Sequence, residues 1–240
     1  MTVKKIAILS PGDMGHAVGR ALSDHGFDIL TFLDGRSERT RALAQDAGFR
    51  TSASLNELMI EADLVLSILV PAHAEGVAKE IAQALEETGE STLIADCNAI
   101  SPMRSEYIGR IVESAGGRYI DASIIGHPPG RDVTPRFYVS GSYADAMLEL
   151  DGKGIAVKNL GNDIGRASGI KMCYAALTKG TSTLQVALLT VAESLGLSAE
   201  LHDELAYSQK GVLDSMKSGI SKLPPNAHRW IGEMEEIATT

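Results

Sequence analysis

Residues 6–22, IAILSPGDMGHAVGRAL, run from an apolar tetrad through a glycine-bearing turn into a helical pattern. A strand, a tight turn and a helix in that order aim backbone N–H groups and the positive helix end at one place, the chemistry of pyrophosphate binding. Gly12 and Gly15 stand where close backbone approach and helix-strand packing require a missing Cβ, with Asp13 and Met14 between them. Ser10 occupies the place of the first glycine in the usual G-x-G-x-x-G spacing. That place needs a tight turn more than a bare backbone, and Pro11 can preset one. A second group of polar residues follows in TFLDGRSERTR, residues 31–41. Asp34, at the end of a second strand, is suited to accept from a ribose 2′-hydroxyl. Arg36, Ser37 and Arg39 offer forks and a hydroxyl suited to a 2′-phosphate, the competing reading being a solvated charged loop.

Such groups need a scaffold, and apolar runs of strand length supply one. KKIAILS, DILTFL, LVLSILV, STLIADC and RYIDAS read as strands. Between them, residues 15–25, 37–47, 55–60, 74–87 and 102–115 carry helical periodicity. RFYVSG and GIAVKNLG are further strand-like pieces flanking a helix near residues 143–150. The alternation predicts an α/β fold with a doubly wound, mainly parallel sheet of Rossmann type. From about Ile164 only helix is legible, so the expected domains are residues 1–163 and a smaller, all-helical 164–240.

Composition narrows the function classes. Of 240 residues, 44% are hydrophobic and 22% charged, with a formal net charge of −9, which suits a globular chain and not one that neutralises nucleic-acid phosphates. Cys97 and Cys173 are far apart and have no histidine-rich company, so they read as small buried hydrophobes, with no metal site expected. The N-terminal apolar run is too short for a secretory leader, and no stretch approaches the roughly 18 apolar residues of a membrane span. A cytoplasmic location and a small-molecule substrate are the expectation.

Five motifs occur in order: SPGDMG at 10–15, ILVP at 68–71, DCNAISP at 96–102, YIDASIIGHPP at 119–129 and GIKMCYAALTKG at 169–180. Together they resemble the β-hydroxyacid dehydrogenase and 6-phosphogluconate dehydrogenase superfamily, and within it a branch of NAD(P)-dependent oxidoreductases with a C-terminal domain of unknown function. The resemblance implies that Gly12, Asp13, Met14 and Gly15 hold the pyrophosphate and that Val70 and Pro71 line the riboses. Asn98 falls where the family places a serine near the nicotinamide; an Asx-type turn before Pro102 is the alternative. Lys171 matches the family's proton-transfer lysine, acting while hydride moves between substrate carbon and nicotinamide C4. An ammonium set among Ile170, Met172 and Ala175, beside a cationic oxidised ring, is expected to lose proton affinity. Tyr174 replaces the family's asparagine and could hold the substrate oxygen or share the proton. Lys179, two turns on and about 80° around the helix, is expected at solvent or at a substrate charge.

The departures concern the substrate. The family's carboxylate-binding D-A-P-V-S-G-G reads DASIIGH here, with Ser123, Ile125 and His127 at the expected substrate wall. A larger or less polar carbonyl, alcohol or imine suits two isoleucines better than a small hydroxy acid. His127 is a substrate contact or a loop histidine, and His16 is expected to be exposed. Asp34 lies one residue later than the family's ribose-binding acid, so it should turn aside and leave NADP(H) favoured over NAD(H). The expected function is an NADP(H)-dependent oxidoreductase, the alternatives being an imine or pyrroline reductase and a non-catalytic NADPH-binding sensor or scaffold. Residues 169–196 are apolar around the whole helix, which points to a homodimer through the C-terminal helices. The acidic GEMEEIATT reads as a solvated helix face, and relatives are expected to carry further helix after it.

Overall fold

A computed structural model describes residues 2–130, 134–227 and 230–240. The chain runs β1 (Lys5–Leu9), α1 (Asp13–Ser23), β2 (Asp28–Thr31), α2 (Glu38–Asp46), β3 (Arg50–Thr51), α3 (Leu55–Glu61), β4 (Leu64–Ser67) and α4 (Pro71–Thr88). It continues with β5 (Leu93–Asp96), α5 (Pro102–Ser114), β6 (Arg118–Ile125), β7 (Arg136–Ser140), a 3-10 helix (Ala144–Leu150), β8 (Ala156–Asn159) and α6 (Arg166–Ser194). The strands form one sheet in the order β3-β2-β1-β4-β5-β6-β7-β8. All neighbouring pairs are parallel except β6 and β7. Strand order reverses between β1 and β4, the switch point where open α/β sheets bind ligands beyond the strand ends.

Alternation along β1 shows why its sequence is apolar throughout. Ile6 and Ile8 enter one core with Val18 and Leu22 of α1 and Ala44 of α2. Ala7 and Leu9 enter the other with Leu58, Ile81 and Ile108 from α3, α4 and α5. A strand covered on both faces has no solvent side to carry polar residues. Three elements differ from the sequence expectation. β3 spans only two exposed residues, too few to show a period. The expected helix near Tyr143 is a 3-10 helix. Both α1 and α4 begin earlier than expected, α4 at a buried Pro71 whose ring suits the first helical position.

The chain divides into two compact units, one ending at Met172 and one comprising Cys173–Thr239. The first turns of α6 lie in the former because a strand residue, Asp121, binds their N–H groups. The second unit holds the rest of α6, then α7 (Ser198–Ser208), α8 (Lys210–Gly219), α9 (Pro224–Ala227) and α10 (Trp230–Thr239). Leu197 N–H reaches back to Ala192 O at 2.8 Å around left-handed Gly196, a Schellman stop that ends α6. Two expectations fail here. Cys173 is exposed, while Cys97 is buried as expected; an exposed helix position needs no apolar side chain. The terminal acidic helix is not uniformly solvated, since Glu236 is buried and Glu233 pairs with Lys179.

Candidate active site

The turn after β1 is built around Pro11. Gly12 N–H donates to Ser10 O at 2.7 Å, closing a three-residue turn. Ser10 is the one non-glycine residue with positive φ among those described, at 57°. Pro11 therefore does not set the turn alone. Ser10 itself takes the left-handed conformation that the missing glycine would adopt without strain. Gly12 caps α1 with φ −80°, and no side chain caps that end. A Cβ on Gly12 would meet only Ser10 O, at 4.0 Å, so the space before the helix is open. Gly15 is different: a Cβ there would lie 3.2 Å from Ile8 Cγ2, the close helix-strand packing expected of it. Gly19, which the sequence reading passed over, is tighter still, 2.2 Å from Phe49 Cζ. Met14 packs against the core, and His16, expected exposed, is half-buried with Nδ1 2.8 Å from Gly12 O.

Beside this turn stands the β2–α2 loop. Ser37 caps α2, its Oγ accepting from Thr40 N–H at 3.2 Å. Asp34 is exposed. Arg39 pairs with Asp13 at the start of α1. Arg36 gives its carbonyl to Arg41 Nε at 3.1 Å, while its own Nε is buried without a hydrogen-bond partner among the described residues. Unused N–H groups at an open, Cβ-free helix end, with an orphaned guanidinium nitrogen nearby, fit the phosphates of a dinucleotide.

Two more strand ends complete this side. Val70, 43% exposed, precedes α4, and Pro71 begins it. Asp96 ends β5 and accepts from Asn98 N–H at 2.9 Å, so the Asx turn belongs to Asp96. Asn98 looks toward β4 instead, accepting from Leu69 N–H at 2.5 Å and donating to Ser67 Oγ at 3.2 Å. It thus ties the loop after β5 to the loop after β4, on the side of β4 away from the switch point. Burial pushes the Asp96 carboxyl up to about 7, opposed by the Asn98 N–H and assisted by the charge of Asp121.

Asp121, across from Asp96 in the β5–β6 register, is the residue the sequence reading missed. Its carboxylate accepts from Ser140 Oγ at 2.9 Å and from the N–H groups of Gly165 at 2.8 Å, Ala167 at 3.1 Å and Ser168 at 3.2 Å. Ser168 Oγ adds a bond of 2.5 Å to the other oxygen. Asp121 therefore serves as the N-terminal cap of α6 from a neighbouring strand. One turn into that helix, half-buried Lys171 donates from Nζ to Ile124 O at 2.9 Å. Ser123, on the same strand, is fully buried and its Oγ has no partner among the described residues. Ile125 is half-buried and His127 exposed. Tyr174 is 49% exposed. Lys179 is held by Glu233 and lies 5.7 Å from the centre of the Trp230 ring. Structure thus brings Lys171 to the end of β6 but commits Lys179 to α10.

Comparison with known proteins gives this arrangement a context. The family described as the NAD binding domain of 6-phosphogluconate dehydrogenase matches residues 5–148, and the domain of unknown function DUF1932 matches residues 192–240. The mitochondrial 3-hydroxyisobutyrate dehydrogenase of Drosophila melanogaster is 26% identical over 220 residues, covering 87% of this chain and 64% of that protein. The solved structure of MTH1747, a conserved protein of unknown function with structural similarity to 3-hydroxyacid dehydrogenases, is 26% identical. It aligns with a TM-score of 0.74 over 98% of this chain and 88% of its own. An imine reductase from Myxococcus stipitatus, solved with NADP+, shares the fold at 18% identity and a TM-score of 0.63, over 92% and 78% of the two chains. Since the dehydrogenase-domain match spans more than half the sequence, the chain belongs to the family of the NAD binding domain of 6-phosphogluconate dehydrogenase, and is an enzyme of the NAD(P)-dependent dehydrogenase and reductase type.

Proposed function

We propose that this chain is an NADP(H)-dependent oxidoreductase acting on a small carbonyl, alcohol or imine, with Lys171 as general acid and base. The observation that carries the reading is the Lys171 ammonium, held 2.9 Å from Ile124 O where β6 ends on the ligand-binding side of the sheet. When bound, the nicotinamide supplies or receives the hydride. This chain's part is to hold and move a proton: Lys171 Nζ gives one to the substrate oxygen or nitrogen in reduction and takes one in oxidation. Ile124 O keeps the ammonium in place before substrate arrives, and Tyr174, one turn along α6, is a second donor for the same atom. Gly12, Asp13, Met14 and Gly15 form the pyrophosphate turn, and Asn98 holds the β4 and β5 loops against the ribose side. The domains assigned to these roles are residues 1–163 for the nucleotide and 164–240 for the helical part.

NADP(H) is preferred over NAD(H) because Arg36, just before the start of α2, keeps a buried Nε without a hydrogen-bond partner among the described residues and Asp34 is exposed. Imine reduction is the second substrate reading, favoured by half-buried Ile125 and exposed His127, which offer no carboxylate clamp; Ser123, expected at the same wall, is fully buried and cannot meet a substrate. Titration with NADPH and NADH, followed by NADPH oxidation with aldehydes, keto acids and cyclic imines, separates the classes. Tight binding without turnover on any of them would make the chain a nucleotide sensor. Lys171→Ala is expected to lower kcat by roughly 10²- to 10⁴-fold; unchanged turnover would remove Lys171 from the mechanism.

Assembly follows from α6. Ile170, Leu177, Leu184 and Val191 recur every seven residues, with Leu188 between the last two and Leu195 after them, a 3.5-residue seam. Leu177, Leu184 and Leu195 are 68%, 65% and 65% exposed in the single chain. A second copy packing along this seam would cover it, and a homodimer is the assembly we propose.

A further inference from the structure

Arg39 does not stand free to read a 2′-phosphate, because its guanidinium is paired with Asp13. Asp13 is the first residue of α1 and sets a carboxylate at the helix end whose uncapped N–H groups face the open space before Gly12. A carboxylate and a pyrophosphate favour the same positive helix end, and two such charges a few ångströms apart repel. Arg39 crosses from the first turn of α2 to supply the counter-charge. Among its neighbours on that loop, Asp34 and Glu38 are exposed acids, and Arg41 donates its Nε to Arg36 O at 3.1 Å. Arg36 alone in this group has a buried Nε with no acceptor among the described residues. An unsatisfied buried donor is costly, so an arriving anion has a place to relieve it.

Resting on the dinucleotide reading above, in which Arg36 reads the 2′-phosphate, we propose that Arg39 has a separate task. Arg39 neutralises Asp13 and so admits any pyridine dinucleotide to the α1 turn, whereas Arg36 discriminates the 2′-phosphate. Both roles are specificity roles within one cleft, and they make opposite predictions for NADH. Removing Arg39 exposes the Asp13 charge to the pyrophosphate of NADH and NADPH alike. Removing Arg36 takes a partner only from the phosphate that NADH lacks.

Calorimetric titration of the full chain with NADH and with NADPH tests the division. Arg39→Ala is expected to weaken both by about tenfold, the range of a partly solvated charge contact. Adding Asp13→Asn to that variant is expected to return NADH affinity to within about twofold of wild type. Arg36→Ala is expected to weaken NADPH by at least roughly tenfold and to leave NADH unchanged. Asp13→Asn by itself, which keeps every helix contact and is the mildest change, is expected to hold or tighten both nucleotides. Loss of NADPH alone in Arg39→Ala, or no recovery of NADH in the double variant, would overturn the division and leave the dinucleotide reading intact. Failure of the wild-type chain to bind either nucleotide would overturn both.

Discussion

Asp96→Asn is expected to remove a pH dependence built into the floor of the site. Asp96 is buried, and burial, opposed by the Asn98 N–H and aided by the Asp121 charge, pushes its carboxyl from 3.8 up to about 7. An acid that binds its proton more tightly in the folded chain than in the unfolded one contributes stability that is complete below its ordinary value. That stability is lost as the pH rises through the folded value, here between about 4 and 7. Three pH units at about 1.4 kcal/mol each set an upper limit of roughly 4 kcal/mol. A loss of that size is a large share of the roughly 5 to 15 kcal/mol that holds a typical domain together. Asparagine at 96 keeps an acceptor for Asn98 N–H but cannot ionise. Urea unfolding from pH 5 to 8.5, run on both proteins, isolates this one group because every other titration is shared. The two should agree within about 1 kcal/mol at pH 5, and the variant should be more stable by roughly 2 to 4 kcal/mol at pH 8.5. Parallel stability curves would refute the assignment of a neutral Asp96 to the folded state.

Three further outcomes follow from named contacts. Asp121→Asn presents an NH2 group to donors that now bind a carboxylate, and is expected to cost about 3 to 5 kcal/mol, read as a fall of roughly 10 °C in melting temperature. A fall of under 2 °C would show that α6 starts without it. Ser10→Gly relieves a left-handed serine and is expected to gain about 0.5 to 1 kcal/mol in the same assay, since the strain exceeds the added chain entropy of glycine. Leu184→Glu sets a charge in the exposed seam of α6 and is expected to convert the proposed dimer to monomer in sedimentation; an unchanged mass would exclude that seam from the interface.

The sheet was legible because its strands are covered on both faces, so apolar runs of strand length stood out against amphipathic helices. β3 was not, since two exposed residues carry no pattern and are paired only through Leu30 and Thr31 of β2. In the site, the glycine turn and Lys171 were readable from local motifs. Ser10 was read only in part: spacing identified the missing glycine, but nothing local shows that a serine will accept positive φ. Asp121 had a visible signal, an acid in the middle of a mainly apolar strand, where burial demands partners. Those partners lie 19 residues downstream, at Ser140, and 44 to 47 residues downstream, at the start of α6, beyond any pattern of helix or strand period. Asn98 shows the same limit, because its amide serves Ser67 at the end of β4 and Leu69 in the loop after it, and not its own loop.

Strand β6 holds both the start of α6 and the Lys171 ammonium. Asp121 fixes where α6 begins, and Ile124 O fixes where the Lys171 ammonium rests one turn later. Between these two anchors, Ser123 fills a buried position against the antiparallel partner Tyr138. Only beyond half-buried Ile125, the last residue of β6, does the chain leave the sheet, at Gly126 with φ 125° and exposed His127. Changes past Ile125 therefore leave both anchors of the lysine in place. His127→Ala is expected to change KM among carbonyl and imine substrates and to leave NADPH affinity within about twofold of wild type, whereas a change at Asp121 moves the whole helix. In DASIIGH only the residues after Ile125 lie outside the sheet, where a substitution disturbs neither the start of α6 nor the carbonyl that holds Lys171.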